Sequence, residues 1–325
     1  MSMSGPEAKS RVATWMQDHG NAPQGDDPNA VDADYVVRLA RQMQPLFGPR
    51  GWFRVDAEGW ENLPPPPAMI VSNHSGGLML PDMWGLGYAW VNQFGRDRLV
   101  HPLAHEMVFA SERVGNALAR AGVMRARRDN TARVLTQARR DVLVTPGGDL
   151  DVFRPWKDRY KVTFGGRTGY ARMALSLGVP IVPLANAGPH DTLMVLTQGR
   201  GISRRLHLKE YFRAEIFPIS IAFPWGIAIG PLPHIPPPTH LRYLIGCPIQ
   251  PEPPAGADGE PTQDQVLALD AQVRGAVQGL LDHLQATEKT YAEKIASLGR
   301  MLRARGTDLR ALAAHRWQDW TGGGP

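Results

Sequence analysis

Two short stretches carry the reactive side chains of this chain. The first is Val71-Ser72-Asn73-His74-Ser75-Gly76-Gly77, followed by Pro81-Asp82. An imidazole in a glycine-bearing loop at the end of an apolar run can face a cleft. A nearby carboxylate would fix its tautomer and raise its basicity. Such a pair can take the proton from a hydroxyl; a histidine that merely satisfies loop carbonyls is the plainer reading. The second stretch is Val144-Thr145-Pro146-Gly147-Gly148-Asp149-Leu150-Asp151, with Arg154 and Lys157 beyond it. Adjacent glycines let backbone approach a ligand closely, and their amides can hold an oxyanion or phosphate. The acids and bases after them could grip a polar headgroup, or could be a solvated charge cluster on a tight turn. A third run, Gly122-Val123-Met124-Arg125-Ala126-Arg127-Arg128, offers guanidinium groups to phosphate, or forms a solvated basic face.

These groups need a scaffold, and the patterning supplies one. Ala68–Val71, Val142–Val144 and Pro180–Leu184 read as short buried strands. Trp52–Val55 and Leu241–Gly246 read as further strands. Helices are expected over 31–47, from Pro81 to about Phe94, and over 106–120, 130–140 and 168–177. A long C-terminal helix is expected over 264–305, with Val266, Leu269, Val273, Val277, Leu280 and Leu284 on one face and a tail reaching Trp317 and Trp320. Helices alternating with strands predict an α/β fold with a mainly parallel central sheet flanked by helices. Three regions follow: a polar arm (about 1–30) and amphipathic helix within 1–50, an α/β domain over 51–250, and a linker with helical extension over 251–325.

Four blocks, in order, resemble the glycerolipid acyltransferase superfamily, which includes lysophosphatidate and diacylglycerol acyltransferases. Asn73-His74 with Asp82 corresponds to the first block, Gly122 to Arg125 to the second, Pro146-Gly147-Gly148 to the third and Val179 to Pro183 to the fourth. The resemblance spans about residues 52–250, taking in Trp52–Val55, the turn Gly59-Trp60-Glu61-Asn62-Leu63-Pro64, and Ile219–Gly226. It implies His74 as general base oriented by Asp82, with Arg125, Gly147, Gly148, Asp151 and Arg154 meeting the substrates. It also implies acyl-CoA or acyl-carrier protein as donor, a lipid acceptor, and neither cofactor nor metal. Two departures stand out. Seven residues rather than four separate His74 from Asp82, and Gly147 replaces the usual glutamate, a form similar to the diacylglycerol branch. A non-catalytic lipid-binding or lipid-transfer protein on the same scaffold is the alternative.

Composition narrows the partners. There are 36 Lys and Arg against 31 Asp and Glu, giving a net charge of +5, which favours anionic partners. The basic residues are dispersed and no nucleic-acid reader motif is present, so nucleic acid is not expected. The single cysteine, Cys247, allows no internal disulfide. The N-terminus lacks a secretory pattern. Residues 216–233 are apolar but carry Pro218, Pro224, Pro231 and Pro233, so a spanning helix is not expected there. The expectation is a cytoplasmic protein, peripheral on the inner face of the membrane. Two further features tempt: the His101/His105 spacing towards a metal, which Pro102 opposes, and Trp84 with Tyr88 towards an acyl pocket, for which core packing is the competing account.

Overall fold

The computed structural model describes residues 25–205, 207, 216–256 and 258–288. The chain divides into two compact units, Met1–Gln285 and Ala286–Pro325, and the first holds the sheet and the candidate site. Residues 1–24 of the expected arm, the expected helix beyond residue 288, Trp317 and Trp320 lie outside the described residues. Residues 25–30 are not a loose arm. The Gly25 carbonyl accepts the Arg125 N–H at 2.9 Å, and the Pro28 carbonyl accepts from Arg140 at 2.9 Å.

Asp32 caps helix α1 (Ala33–Gln42) by accepting the Tyr35 N–H at 2.9 Å. The helix expected to reach Phe47 breaks at Met43, because Pro45 has no N–H to continue the ladder; one further turn, Gln44–Phe47, ends at Gly48. Strands β1 (Arg54–Glu58) and β2 (Met69–Ser72) follow, then helix α2 (Pro81–Phe94), which starts on its proline as expected. Next come β3 (Val100–Ala104), α3 (Glu112–Arg120), β4 (Met124–Arg125) and β5 (Asp141–Val144). A short helix α4 (Gly148–Val152) grows out of the glycine pair. After it lie α5 (Gly169–Leu177), β6 (Ile181–Ala187), β7 (Met194–Thr197), β8 (Ile219–Ala222), β9 (Gly226–Ile229), β10 (His240–Ile245) and α6 (Gln263–Ala286).

The main sheet runs β1-β10-β6-β2-β5-β3-β4 and is parallel except for the β10–β6 pair. Central β2 is buried along its whole length, paired with β6 through Met69↔Ile181 and with β5 through Ile70↔Leu143. Alternation sends Met69 and Val71 to one face, against α5 and α6, and Ile70 to the other, against Leu86 and Trp90 of α2. On α6 the buried stripe is Val266, Leu269, Val273, Val277, Leu281 and Leu284, with Leu280 packed at its margin. Buried Asp141 fastens the adjacent ends of β5 and β2, accepting from Arg98 Nε at 2.6 Å and from the Ala68 N–H at 2.8 Å. Because β2 and β5 are parallel neighbours, the loops leaving their C-terminal ends emerge side by side. That is where α/β sheets place their ligands.

A second sheet of three antiparallel strands, β7-β8-β9, occupies the region of the proline-broken apolar run. Its inner face, with Val195, Ala222 and Ala228, packs on Leu150 and Phe153 of and beside α4.

Strand β3 was not expected, since His101 and Pro102 interrupt its apolar run. His101 is fully buried there; its Nδ1 bonds the Gly122 carbonyl at 2.9 Å and its Nε2 has no partner among the described residues. Burial holds its pKa down to about 4, against the opposing pull of the Gly122 bond. In the unfolded chain an imidazole titrates near 6.5, so between about 6.5 and about 4 the unfolded state binds a proton that the native state refuses. The resulting stability is present above about pH 6.5 and lost as pH falls through about 4, at most about 3 kcal/mol. Urea unfolding between neutral pH and pH about 4 should therefore weaken more steeply for the native sequence than for His101→Leu. Equal slopes would remove His101 as the source.

Candidate active site

The end of β2 is locked to the end of β6 by two buried asparagines. Asn73 Nδ2 donates to the Asn186 carbonyl at 2.9 Å, and Asn73 Oδ1 accepts the Asn186 N–H at 2.8 Å. Asn186 Nδ2 returns a bond to the Asn73 carbonyl at 2.6 Å, while its Oδ1 accepts from Ser75 Oγ at 3.0 Å. Residues on both sides of His74 are thus held before His74 makes any contact of its own.

The seven residues between His74 and Asp82 form a returning bend. Gly76 has φ +102°, and a Cβ there would lie 2.7 Å from the Pro81 ring. A single turn, Gly77–Met79, leads to Leu80 in the left-handed region at φ 48°. That conformation costs a leucine on the order of 1–2 kcal/mol. Pro81 then starts α2 and brings Asp82 back. His74 Nδ1 lies 2.5 Å from Asp82 Oδ2, and the same oxygen accepts the Ser75 N–H at 2.9 Å. The other carboxylate oxygen accepts the Met83 N–H at 2.8 Å. The Tyr243 hydroxyl of β10 donates to the Asp82 carbonyl at 2.8 Å. The first helical turn also favours a carboxylate through the helix dipole.

Burial pulls the His74 pKa down, but Asp82 outweighs it by charge and hydrogen bond, with a further contribution from Asp151, and the value stands above the ordinary 6.5. The Nε2 atom has no hydrogen-bond partner among the described residues, and 12% of the side chain remains exposed.

The third block sits alongside. A Cβ on Gly147 would collide with the Thr163 carbonyl and the Asp151 side chain, and Gly148 has φ +50° with Arg167 across it. Arg167 donates to the Gly147 carbonyl at 2.8 Å and to Asp149 at 2.8 Å. Asp151 and Arg154 do not present themselves to a headgroup as expected. Both are buried; Asp151 Oδ2 accepts the His74 N–H at 2.6 Å, its other oxygen is ion-paired with Arg154, and Arg154 also donates to the Arg159 carbonyl at 3.1 Å. Burial pushes the Asp151 carboxyl up, against Arg154 and the His74 N–H, which pull it down.

Arg125 likewise departs from the expected phosphate contact. It is fully buried, bonded to Glu106 at 2.5 Å, with its guanidinium 5.0 Å from the centre of the Phe109 ring. The exposed cations of that segment are Arg127, bonded to the other Glu106 oxygen at 2.7 Å, and Arg128. The structure therefore brings His74, Asp82, Asp151 and Arg154 into one network and commits Arg125 to Glu106. His101 is a core residue and His105 accepts the Met107 N–H at 3.2 Å, so the two do not act as a metal pair. Trp84 and Tyr88 pack against the core, Tyr88 on Phe47 with ring centres 6.1 Å apart. Ser75, Asn186 and Tyr243 went unremarked in the sequence. The one local signal was Asn186, an amide inside an otherwise apolar strand.

Comparison with known proteins identifies the family. The acyltransferase family model matches residues 54–186, which include all of these site residues except Tyr243. A Mycobacterium tuberculosis protein of uncharacterized function is 30% identical over 276 residues, covering 85% of this chain and 74% of that one. A Gallus gallus protein described as a DGAT1/2-independent enzyme synthesizing storage lipids is 25% identical over 71% of this chain and 60% of its own length. The 1-acyl-sn-glycerophosphate (LPA) acyltransferase PlsC of Thermotoga maritima aligns with a TM-score of 0.45 and 17% identity, over 79% of this chain and 81% of that one. With the family match over the site and the 30% relation over most of its length, this chain belongs to the acyltransferase family, within the glycerolipid acyltransferase superfamily.

Proposed function

We propose that this protein is an O-acyltransferase that moves a fatty acyl group from an acyl thioester, carried by coenzyme A or acyl-carrier protein, to a hydroxyl of a lipid acceptor. One observation carries this reading: His74 Nδ1 is held at 2.5 Å by Asp82, while Nε2 has no partner among the described residues and the ring stays partly open. In that tautomer Nδ1 keeps its proton and Nε2 offers the lone pair. Nε2 takes the proton of the acceptor hydroxyl as its oxygen attacks the thioester carbon. The tetrahedral adduct then expels the thiolate, which leaves protonated by the His74 imidazolium. Asp82 stabilises that imidazolium and fixes the ring plane. Asp151 acts through the backbone of His74 as a positioning residue. The Gallus gallus relative's description, an enzyme synthesizing storage lipids, supports a lipid acceptor.

A lipid acceptor resides in a bilayer. No helix among the described residues is long and apolar enough to cross a membrane. The reading is therefore of an enzyme working at the bilayer surface, peripheral on its cytoplasmic face.

The direct test is the pure protein with labelled acyl-CoA or acyl-carrier protein and a panel of lysophospholipid, diacylglycerol, glycolipid and long-chain alcohol acceptors. Transfer to one class is expected, with His74→Ala lowering it by roughly 100-fold or more while leaving the fold intact. Near-normal turnover by a folded His74→Ala protein would remove this histidine from the mechanism.

The pH dependence gives a second test. Neutral imidazole is the base, so kcat/KM should rise with pH through the His74 pKa, which lies above 6.5. Asp82→Asn removes the charge that raises it. The acid limb should move to lower pH while the plateau rate drops, because the amide cannot stabilise the imidazolium. A limb that stays in place would assign it to another group.

A further inference from the structure

The three-stranded sheet β7-β8-β9 is apolar on both faces. Its inner face is sealed against Leu150 and Phe153. On its outer face the register lines up Met194, Ile221 and Ile227 in one cross-strand row, with Ile229 two pairs further along, opposite Ile219. These side chains are exposed, Ile227 at 69%, as is Phe223 at the hairpin turn at 68%. Half-buried antiparallel sheets normally present polar residues to water. At the same turn Trp225 donates its indole N–H to the Pro233 carbonyl at 2.7 Å, which satisfies its polar edge and leaves the ring exposed. A contiguous exposed apolar face of this kind marks an interaction surface.

Charge identifies the occupant. Residues 193–205 and 216–235 contain no Asp or Glu, and the exposed arginines Arg200, Arg204 and Arg205 follow directly on β7. A second copy docked face to face would set arginines near arginines with no acid from either patch to pair them. An anionic bilayer meets both halves of the surface. Its phosphates pair the arginines, and its interfacial layer accepts isoleucine, phenylalanine and tryptophan.

We propose that the outer face of the β7-β8-β9 sheet, with the Phe223–Trp225 turn at its tip, is the surface by which this protein docks on anionic lipid bilayers. Arg200, Arg204 and Arg205 hold the headgroups. The inference rests on the acyltransferase reading for its purpose, and the contacts supply the link. Leu150 and Phe153, on which the sheet packs, flank the Asp151 that holds the His74 backbone. Leu193, at the start of the same sheet, lies 2.5 Å from where a Gly77 Cβ would be, in the bend between His74 and Asp82. A sheet seated on lipid is thus in contact with the loop that, on that reading, receives a lipid hydroxyl.

Vesicle co-sedimentation tests this without turnover. The full-length protein is spun with vesicles of phosphatidylcholine alone and of phosphatidylcholine with an equal part of phosphatidylglycerol. Binding is expected to favour the anionic vesicles and to fall with salt. Phe223→Ser with Ile227→Ser should lower partitioning at least ten-fold on both vesicle types. Arg204→Glu with Arg205→Glu should lower binding to the anionic vesicles alone and flatten its salt dependence. This second pair keeps the test decisive if the first misfolds. Both pairs should retain turnover of short-chain, water-soluble substrates, and His74→Ala should bind vesicles like the native protein. Unchanged vesicle binding by folded forms of both pairs would overturn the assignment. So would light scattering that shows a dimer dissolved by the serine pair while its vesicle binding persists. Absence of any acyl transfer by the native protein would defeat the acyltransferase reading and leave the binding result to stand or fall by itself.

Discussion

A carboxylate sealed inside the protein holds the two strand-end loops in register. Asp151 accepts the His74 N–H from the β2 loop at 2.6 Å and is ion-paired with Arg154 on its own segment. An isolated buried charge costs several kcal/mol, so neither partner can be spared. Removing Arg154 would strand the carboxylate, and removing Asp151 would strand the guanidinium, each a loss of about 3–5 kcal/mol. The pairing explains why the Gly147 position tolerates no side chain, since a Cβ there would strike both Asp151 and the Thr163 carbonyl. It also acts on the imidazole: Asp151 adds to the field that raises the His74 pKa, and Arg154 subtracts from it.

The long spacing from His74 to Asp82 is accommodated by fastening the acid from the far side as well. Tyr243 reaches across from β10 to the Asp82 carbonyl, and it can do so because residue 85 is glycine: a Cβ there would lie 2.5 Å from the hydroxyl oxygen. The strained Leu80 is thereby bracketed. On one side Gly76 and the Asn73–Asn186 clamp fix the outgoing chain, and on the other α2 and Tyr243 fix the returning one. Strain of this size persists only where its surroundings over-determine it.

Much of this was legible in the residues. The strands at β2, β5, β6 and β10, the start of α2 at Pro81 and the His74–Asp82 pairing all carry local signals: short apolar runs, a helix-starting proline, a family motif. What stayed hidden depends on contacts distant in the chain. β3 was concealed because His101 and Pro102 look like a loop, and only burial of the imidazole under Gly122 makes them a strand. α4 was read as a turn because two glycines suggest one. The burial of Asp151, Arg154 and Arg125 was hidden because charged residues near glycines resemble a solvated ligand site. Nothing local says that His74, some 77 residues earlier, will cover one of them.

Burial also bears on how net charge is read. A +5 balance reads as charge available to anionic partners. Yet Arg125 within the second block, Arg154 just past the third, and Arg98 are spent internally on Glu106, Asp151 and Asp141. Each stiffens a loop or a strand end, and their low exposure removes them from the field a ligand meets. Among the guanidinium groups that still reach solvent are Arg127 and Arg128 at the rim of the second block and the arginines that follow β7. Electrostatic recognition therefore operates at the edges of this domain, while its interior uses arginine as a structural tie. A count of basic residues, without their burial, would have pointed a phosphate at the wrong ones.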